Sequence, residues 1–467
     1  MTIQLRFIPS NLATYQLSFQ DFQKIRGTGI RIFAFGYNHI TIVDDKGLTA
    51  TVRIRKPFTP GVPQSGLAET VLAGTSGLCE KCTHLPDRNN WAPRVGFAFD
   101  LFGDGRIALR GGYGVFFNQI ESNLALENLL QPPFASFPLV LDSGGLGYAL
   151  LDSPTCGGDC VPPGAGLVLV TDPNIRTPYM QHLDLNVQYQ FFRDFVLEVG
   201  YVGTLGRKLL QFRDLNQPIF IPGVDESGNP LSTPGNKELR RPYPGYSTIA
   251  QSTTYGSSNY HSLQGSISKR FSGGYTFLAG YTLSKSIDLA SQYHSGSGSP
   301  IDPAVAEDAN NLAADRGLSS FDMRHRFTLS GVFELPFGAG KMFLNRQGAV
   351  DKVVGGWIVS PILIVSSGVP LTVRDFTDPC GVSGPFITSC RPNLIAQPNL
   401  TSHRKSVERW FDTSAFVRQS FGSFANAGRN IIFADGAENL DLALSGWDSA
   451  ILRWAGVLSF GQKFSIC

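Results

Sequence analysis

The chain has 467 residues, of which only 16% are charged, and its formal net charge is +2. Globular proteins usually carry about a quarter charged residues. The low charge, together with 51 glycines and 11% aromatic residues, is typical of a β protein that exposes much of its surface to something other than water. The balanced charge predicts no nucleic-acid partner, and no apolar stretch reaches the roughly 18 residues of a membrane-spanning helix.

Residues 1–88 form a poorly assigned N-terminal segment. Possible strands lie at 29–35 and 39–43, but they do not fit the pattern that follows. The first seventeen residues alternate, and they lack the basic head and apolar core of a secretion signal.

Alternating strands joined in pairs by short turns occupy the region 89–432. The clearest pair turns at Arg193-Asp194: Leu183, Leu185 and Val187 of its first arm alternate with polar residues. Because neighbouring side chains of a strand point to opposite faces, one face is apolar and the other polar. Similar pairs bring the total to about eight strands in four hairpins, at 94–100 with 106–117, 178–192 with 195–210, 261–271 with 275–283, and 325–335 with 357–365.

The connections between hairpins are long, whereas the turns within them are short. Short turns at one end and long loops at the other are typical of transmembrane barrels, while a soluble sandwich has short turns at both ends. The sequence therefore predicts an all-β, antiparallel transmembrane β-barrel in the cell outer membrane, in contact with its lipid. Aromatic residues near the strand ends are interpreted as interfacial girdles and lipid-facing rings: Trp91, Tyr113, Phe116, Phe117, Tyr189, Phe191, Phe192, Tyr201, Tyr281 and Trp357.

Four stretches in this region carry a shared signature: NNWAPRVGFAFDLFGDGRIALRGGYGVFF (89–117), SSNYHSLQGSISKRFSGGYTFLAGYTLSKSID (257–288), DRGLSSFDMRHRFTLSGVFELPFG (315–338) and GSFANAGRNII (422–432). They resemble the TonB-dependent outer-membrane receptors, in particular the Oar-like group with a carboxypeptidase-regulatory-like domain. The resemblance implies a 22-stranded barrel around a plug, and uptake of a scarce ligand such as a metal chelate or an oligosaccharide. It also implies a TonB-type energy-coupling protein as partner, if a plug is present elsewhere.

The chain departs from this family pattern at both ends. No plug and no secretion signal can be recognised before residue 89, and the alternation is lost after Asn430, so that residues 433–467 read as an atypical tail. We therefore expect a fragment of a receptor, forming a partial or open barrel that lacks the plug, with exposed sheet edges. The alternative hypothesis is a secreted or surface all-β binding or adhesion protein.

Six of the seven cysteines lie in close pairs within loop sequence: Cys79/Cys82, Cys156/Cys160 and Cys380/Cys390. Local disulfides fit an oxidising compartment. Free thiols remain an alternative, as does a metal site at Cys79, Cys82 and His84. The sequence alone does not decide the pairing.

No catalytic, cofactor-binding or metal-binding residue is predicted, and the protein is not expected to be an enzyme. The run Gly338-Ala339-Gly340-Lys341 lacks the Ser/Thr and the upstream glycine of a phosphate loop, and no G-x-S-x-G elbow occurs. Asp322, with Arg324, His325 and Arg326, is interpreted as a polar loop end that enters a strand rather than as an acid/base site. Two further polar groups are interpreted as solvated loop rather than as calcium or nucleic-acid sites: Asp302 with Glu307, Asp308 and Asp315; and His403-Arg404-Lys405 with Arg409.

Overall fold

A computed structural model describes residues 31–36, 39–43, 49–53, 69–71, 87–120, 168–172, 174–243, 248–292, 306–381, 390–401, 404–421, 423–446 and 455–461. These residues are almost entirely β-strand and connecting loop. One short helix, α1 (Ala349–Val354), and three 3-10 turns, at Pro234–Arg240, Leu312–Asp315 and Thr413–Ala415, are the helical elements among them. No helix in the described ranges is long and apolar enough to cross a membrane.

Four strands near the N-terminus form a small antiparallel sheet in chain order. Two of them coincide with the possible strands expected from the sequence. They are β1 (Arg31–Gly36), β2 (His39–Val43), β3 (Thr49–Arg53) and β4 (Glu69–Val71).

The remaining strands belong to one large sheet and to two small two-stranded sheets in the loops. They are β5 (Arg94–Asp100), β6 (Ile107–Phe117), β7 (Val168–Thr171), β8 (Tyr179–Phe192), β9 (Phe195–Asp214), β10 (Ile249–Ser272), β11 (Tyr275–Asp288), β12 (Gly317–Leu318), β13 (His325–Glu334), β14 (Trp357–Ser366), β15 (Pro370–Leu371), β16 (Asn393–Leu394), β17 (Phe416–Val417), β18 (Ile432–Phe433), β19 (Ala437–Gly446) and β20 (Ala455–Gly461). The two small sheets pair β15 with β18 and β16 with β17.

The large sheet is antiparallel along its whole main path and open. Its order is β20-β19-β14-β13-β11-β10-β9-β8-β6-β5, with β12 beside β11 and β7 parallel to β10 at the margin. Strands β5 and β20 are its edges within the described residues. The eight predicted strands and the open sheet are thus confirmed. The prediction that alternation is lost after Asn430 is wrong for β19. In this strand Leu440, Leu442 and Leu444 alternate with polar or small residues.

The strand register aligns the apolar positions across the sheet. Leu183, Leu185 and Val187 of β8, each 41–46% exposed, lie on its outward face, and apolar partners oppose most outward positions on neighbouring strands. This arrangement gives the sheet one apolar face and one polar face, as a sheet between lipid and water requires. One such row runs Leu109, Val187, Val199, Gly265, Tyr281, Phe327 and Val365.

The two ends of the sheet differ in their connections. We call the end with connections 101–106, 193–194, 273–274 and 335–356 the short-turn end. The opposite end, with connections 118–178, 215–248, 289–324 and 367–436, is the long-loop end. Strands β9 and β10 have 20 and 24 residues, about twice the length needed to cross a membrane. Their extra residues therefore extend at the long-loop end and support the loops there.

A row of aromatic rings marks the short-turn end. Successive ring contacts with centroids 5.5–6.4 Å apart join residues of β8, β9, β11 and β13. Lys269, only 5% exposed, lies under Tyr275 with its Nζ 3.7 Å from the ring centroid. Its ammonium group donates to the backbone oxygens of Ser272 (2.6 Å) and Tyr275 (3.1 Å). Aromatic rings and turned-back lysines are typical of a membrane interface. The rings are Phe191, Phe195, Phe277, Tyr275 and Phe333.

The outward face is testable with a charge at Val187, which is opposed by Leu109 and Val199. We expect Val187→Arg to lower the free energy of unfolding by about 2–4 kcal/mol in lipid vesicles, because an arginine there faces hydrocarbon. The neighbouring substitution Gln188→Arg lies on the polar face at the same depth and is expected to change it by about 0.5 kcal/mol or less. Urea titration of both refolded variants measures the difference, and equal losses would contradict this assignment of faces.

Candidate functional site

The long-loop end contains a cluster of buried charged side chains. Buried ions are stable only when they are paired and hydrogen-bonded, so this cluster must join the loops closely. The buried arginines are Arg240, Arg241, Arg391 and Arg429, and the buried carboxylates are Asp214, Asp288, Glu307, Asp315, Asp322 and Asp378.

Arg391 is the centre of the cluster. Its Nη2 lies 2.7 Å from Glu307 Oε2, its Nη1 contacts Asp315 Oδ1, and its backbone N–H donates to Glu307 Oε1 at 3.1 Å. Asp315 Oδ2 in turn accepts from the backbone N–H of Glu307 at 2.9 Å. One guanidinium group thus joins connection 367–436 to connection 289–324. We call Gln217, Asp288, Glu307, Asp315, Arg391 and Arg429 the loop clasp.

Gln217 brings a third connection, 215–248, into the loop clasp. Its side-chain Nε2 donates to the backbone oxygen of Glu307 at 2.6 Å, and its Oε1 accepts from the N–H of Ala309 at 2.7 Å. The amide therefore holds the backbone on both sides of Asp308. Three long connections are consequently joined by buried polar contacts.

Arg429 ties the loop clasp to the end of a sheet strand. Its Nε donates to the backbone oxygen of Asp315 at 2.9 Å, and its Nη2 pairs with the carboxylate of Asp288, the last residue of β11. Both side chains of this ion pair are 3% exposed. The loops are thereby fixed relative to the sheet as well as to one another.

Two backbone details allow this close packing. A Cβ at Gly317 would lie 2.7 Å from the backbone oxygen of Arg429, so only glycine fits there. Asn430 has a positive φ of 58°, a conformation that asparagine tolerates better than most residues. Its side-chain Nδ2 donates to the backbone oxygen of Leu318 at 2.6 Å. Residues 315–318 and 429–430 therefore pack directly against each other.

Burial dominates the electrostatics of Glu307. Loss of water raises the pKa of this carboxyl to about 7, and the nearby Asp315 adds to the rise. The positive charge of Arg391 and the bond from its backbone N–H oppose the shift without cancelling it. The protonation of Glu307 therefore responds to pH near neutrality.

A disulfide joins Cys380 and Cys390 beside the loop clasp, as expected for local loop pairs. It is fully buried, and Phe424 packs against it. Asp378 lies close enough to both sulfur atoms to complete a three-ligand cluster, but bonded sulfurs do not offer the thiolates that a metal needs. Cys79, Cys82, His84, Cys156 and Cys160 lie outside the described residues.

The phosphate-loop-like run and the polar group at Asp322 make contacts within the protein. Lys341, in the phosphate-loop-like run, pairs with Glu334 at 2.6 Å in the connection between β13 and β14. Asp322 is buried and accepts from the N–H of Ser286 at 2.6 Å. His325 shares a hydrogen bond with Tyr281.

The acidic loop group is partly buried, whereas the basic run at 403–409 forms contacts within its own loop. Glu307 and Asp315 are buried around Arg391, so a solvated loop was the wrong interpretation for these two residues. Lys405 stacks over Trp410, and Arg409 pairs with Asp412 at 3.1 Å. Asp302 and His403 lie outside the described residues.

Sequence reasoning did not assign roles to Arg391, Arg429 or Gln217. Arg429 was part of a recognised motif, and a charged residue inside an otherwise small and apolar stretch was a signal. Gln217 carries no local signal. Three of the four receptor-like stretches supply clasp residues, namely Asp288, Asp315 and Arg429.

Comparison with known proteins identifies the family. A family model described as outer membrane beta barrel domain matches residues 38–445. The chain belongs to this family. Membership places it in the outer membrane, with the apolar face of the large sheet against lipid, and long loops of such barrels are extracellular. No curated protein matches the chain.

Solved structures of outer-membrane transporters resemble the chain at low identity. The transporter YddB from Escherichia coli is 9% identical with a TM-score of 0.37, covering 87% of this chain and 38% of its own. A ferric enterobactin receptor (PfeA) mutant from Pseudomonas aeruginosa is 10% identical with a TM-score of 0.36, covering 88% and 37%. The siderophore receptor PirA from Acinetobacter baumannii is 7% identical with a TM-score of 0.34, covering 89% and 38%. The chain spans less than two-fifths of their length.

The loop clasp predicts a local effect of Arg391→Gln. Removing the guanidinium leaves Glu307 and Asp315 buried without their partner, which costs about 3–5 kcal/mol. We expect amide hydrogen exchange in connection 289–324 to accelerate strongly, while β8 and β9 stay protected. Arg409→Gln removes an exposed pair of the same loop and is expected to cost about 0.5 kcal/mol or less. Equal exchange in the two variants would refute the role of Arg391.

The raised pKa of Glu307 predicts that the loops loosen as pH rises. Between the ordinary pKa of 4.5 and the folded value of about 7, the closed loops hold a proton that the opened loops release. This contribution is fully present below 4.5 and is lost as pH rises through about 7. Protection factors from hydrogen exchange should therefore be higher at about pH 5 than at about pH 8. In Glu307→Gln the difference should shrink, and an unchanged difference would exclude Glu307 as its source.

Proposed function

We propose that this chain is the membrane-embedded part of a TonB-dependent receptor-like protein of the Oar-like group, which binds a ligand with its extracellular loops and serves uptake across the outer membrane. The observation that carries the proposal is the convergence of receptor-like motifs on one structure. Residues of the stretches 257–288, 315–338 and 422–432 meet at the loop clasp through Asp288, Asp315 and Arg429. Because three receptor-like motifs together hold the long loops in place, we infer that these loops act as one binding surface.

The clasp supports ligand capture because it reduces the freedom of the loops before binding. Loops that are ordered in advance lose less conformational entropy when a ligand binds. The polar face of the sheet continues below them, with side chains such as Gln188, Glu198 and Thr328 in cross-strand sequence. A ligand released from the loops would therefore meet a wettable surface rather than hydrocarbon.

The loop surface favours a metal chelate or an oligosaccharide as ligand. Phe321 and Phe376 lie in two of the long connections and are 59% and 69% exposed. Exposed rings offer flat apolar surfaces for aromatic chelators or sugar rings, with polar loop groups beside them. Energy coupling to a TonB-type protein forms part of the proposal only where a plug accompanies the barrel. No catalytic step is proposed.

Refolding the chain into lipid vesicles tests both membrane insertion and binding. We expect the protein to float with the vesicles and to bind at least one member of a panel of ferric chelates and oligosaccharides by fluorescence quenching. Arg391→Gln should weaken that binding by about tenfold or more through loop disorder, whereas Arg409→Gln should not. A lipid-indifferent, monodisperse product that binds none of the panel would contradict the proposal and favour a secreted binding protein.

A further inference from the structure

Three basic side chains form a patch on the outward face at the long-loop end. They are His261 of β10, Lys285 of β11 and His325 of β13, and all three are exposed. His261 and Lys285 are direct cross-strand partners. His325 opposes Leu283, two residues before Lys285. We call these three residues the basic patch.

The register places the basic patch on the apolar face rather than on the polar one. Each member lies two residues from an apolar outward residue of its own strand, which are Leu263, Leu283 and Phe327 in turn. Because side chains two positions apart in a strand share a face, the basic patch continues the lipid-facing surface toward the loops.

Two tyrosines hold the histidines in a repeated arrangement. Tyr201 Oη lies 2.6 Å from His261 Nδ1, and Tyr281 Oη lies 2.7 Å from His325 Nδ1. In both cases the tyrosine of one strand reaches the histidine of the next strand in the sheet. Nδ1 is occupied by this hydrogen bond, so Nε2 on the other side of the ring is the atom available to a ligand.

The depth of the basic patch matches the headgroups of the loop-side leaflet. From Tyr275 in the aromatic row at the short-turn end to Lys285 there are ten residues, about 34 Å along a strand. At a tilt of about 40° this rises about 26 Å, and the apolar band of such proteins is about 25 Å tall. Lys285 therefore lies just beyond the hydrocarbon.

The charge of the basic patch is not compensated by the protein around it. Among the described residues no ion pair involves Lys285, His261 or His325. Their cross-strand partners outside the patch, Gly203 and Leu283, are uncharged. A lysine at headgroup level without a protein counter-ion is complementary to lipid phosphate, which attracts basic side chains near a membrane surface.

We propose that His261, Lys285 and His325 bind the phosphate group of an anionic lipid in the leaflet that faces the long loops. Lys285 supplies the positive charge, and the two histidines donate hydrogen bonds from Nε2 on either side of it. The site shares no residue with the loop clasp. It anchors the sheet at the end opposite to Lys269.

Lipid retention tests the proposal. The protein is purified in detergent from mixed vesicles of anionic phosphatidylglycerol and zwitterionic phosphatidylcholine, and bound lipid is counted by native mass spectrometry. We expect preferential retention of the anionic lipid. Lys285→Gln should reduce it by about fivefold, and the triple variant with His261→Gln and His325→Gln should abolish the preference. Lys341→Gln makes the same charge change at the short-turn end and should retain it.

Two further arms keep the result interpretable. Lys285→Arg preserves the charge and should retain the anionic lipid, and unchanged far-ultraviolet circular dichroism shows that the glutamine variants fold. Inorganic phosphate at millimolar concentration should not displace the lipid. Equal retention by the wild type and the triple variant would overturn the proposal. So would displacement by inorganic phosphate, which would indicate a site for a soluble anion.

Discussion

Apolar side chains at alternate positions, aligned across neighbouring strands, are the constraint on which the rest of the structure depends. In hydrocarbon no water can satisfy a backbone N–H or C=O group, so each must bond to a neighbouring strand. The paired register of β6 to β19 meets this requirement while it directs apolar side chains to one face. At the edge strands β5 and β20 the same requirement calls for a strand partner inside a membrane.

The two ends of the sheet meet water in different ways. At the short-turn end, aromatic rings cover the boundary, and Lys269 folds back to bond the carbonyl oxygens of the turn. At the long-loop end, strands β9 and β10 continue past the membrane and carry a large polar structure. A short turn needs little support, whereas connections of thirty or more residues need contacts of their own to be ordered.

Charge burial is what gives the long loops that order. An arginine or a carboxylate removed from water is stable only with partners in close geometry, so the loop clasp fixes the relative positions of Gln217, Glu307 and Arg391. As a consequence, the stability of the loop clasp depends on the protonation of Glu307. The backbone of Arg429 lies so close to residue 317 that no side chain fits there, which explains why residue 317 is glycine.

The fold class and eight of the strands followed from the sequence, because alternation is a local property that any single strand displays. The outer-membrane location followed from the unequal lengths of the connections and from the resemblance of four stretches to outer-membrane receptors. Strand β19 also alternates, but it follows a long irregular connection, and the prediction did not include it. The sequence alone did not predict two arrangements of side chains. One is the contact of Asp288, Asp315, Arg391 and Arg429 in the loop clasp, and the other is the basic patch. These residues are distant along the chain and become neighbours only through strand register and loop packing, which depend on contacts across the whole sheet.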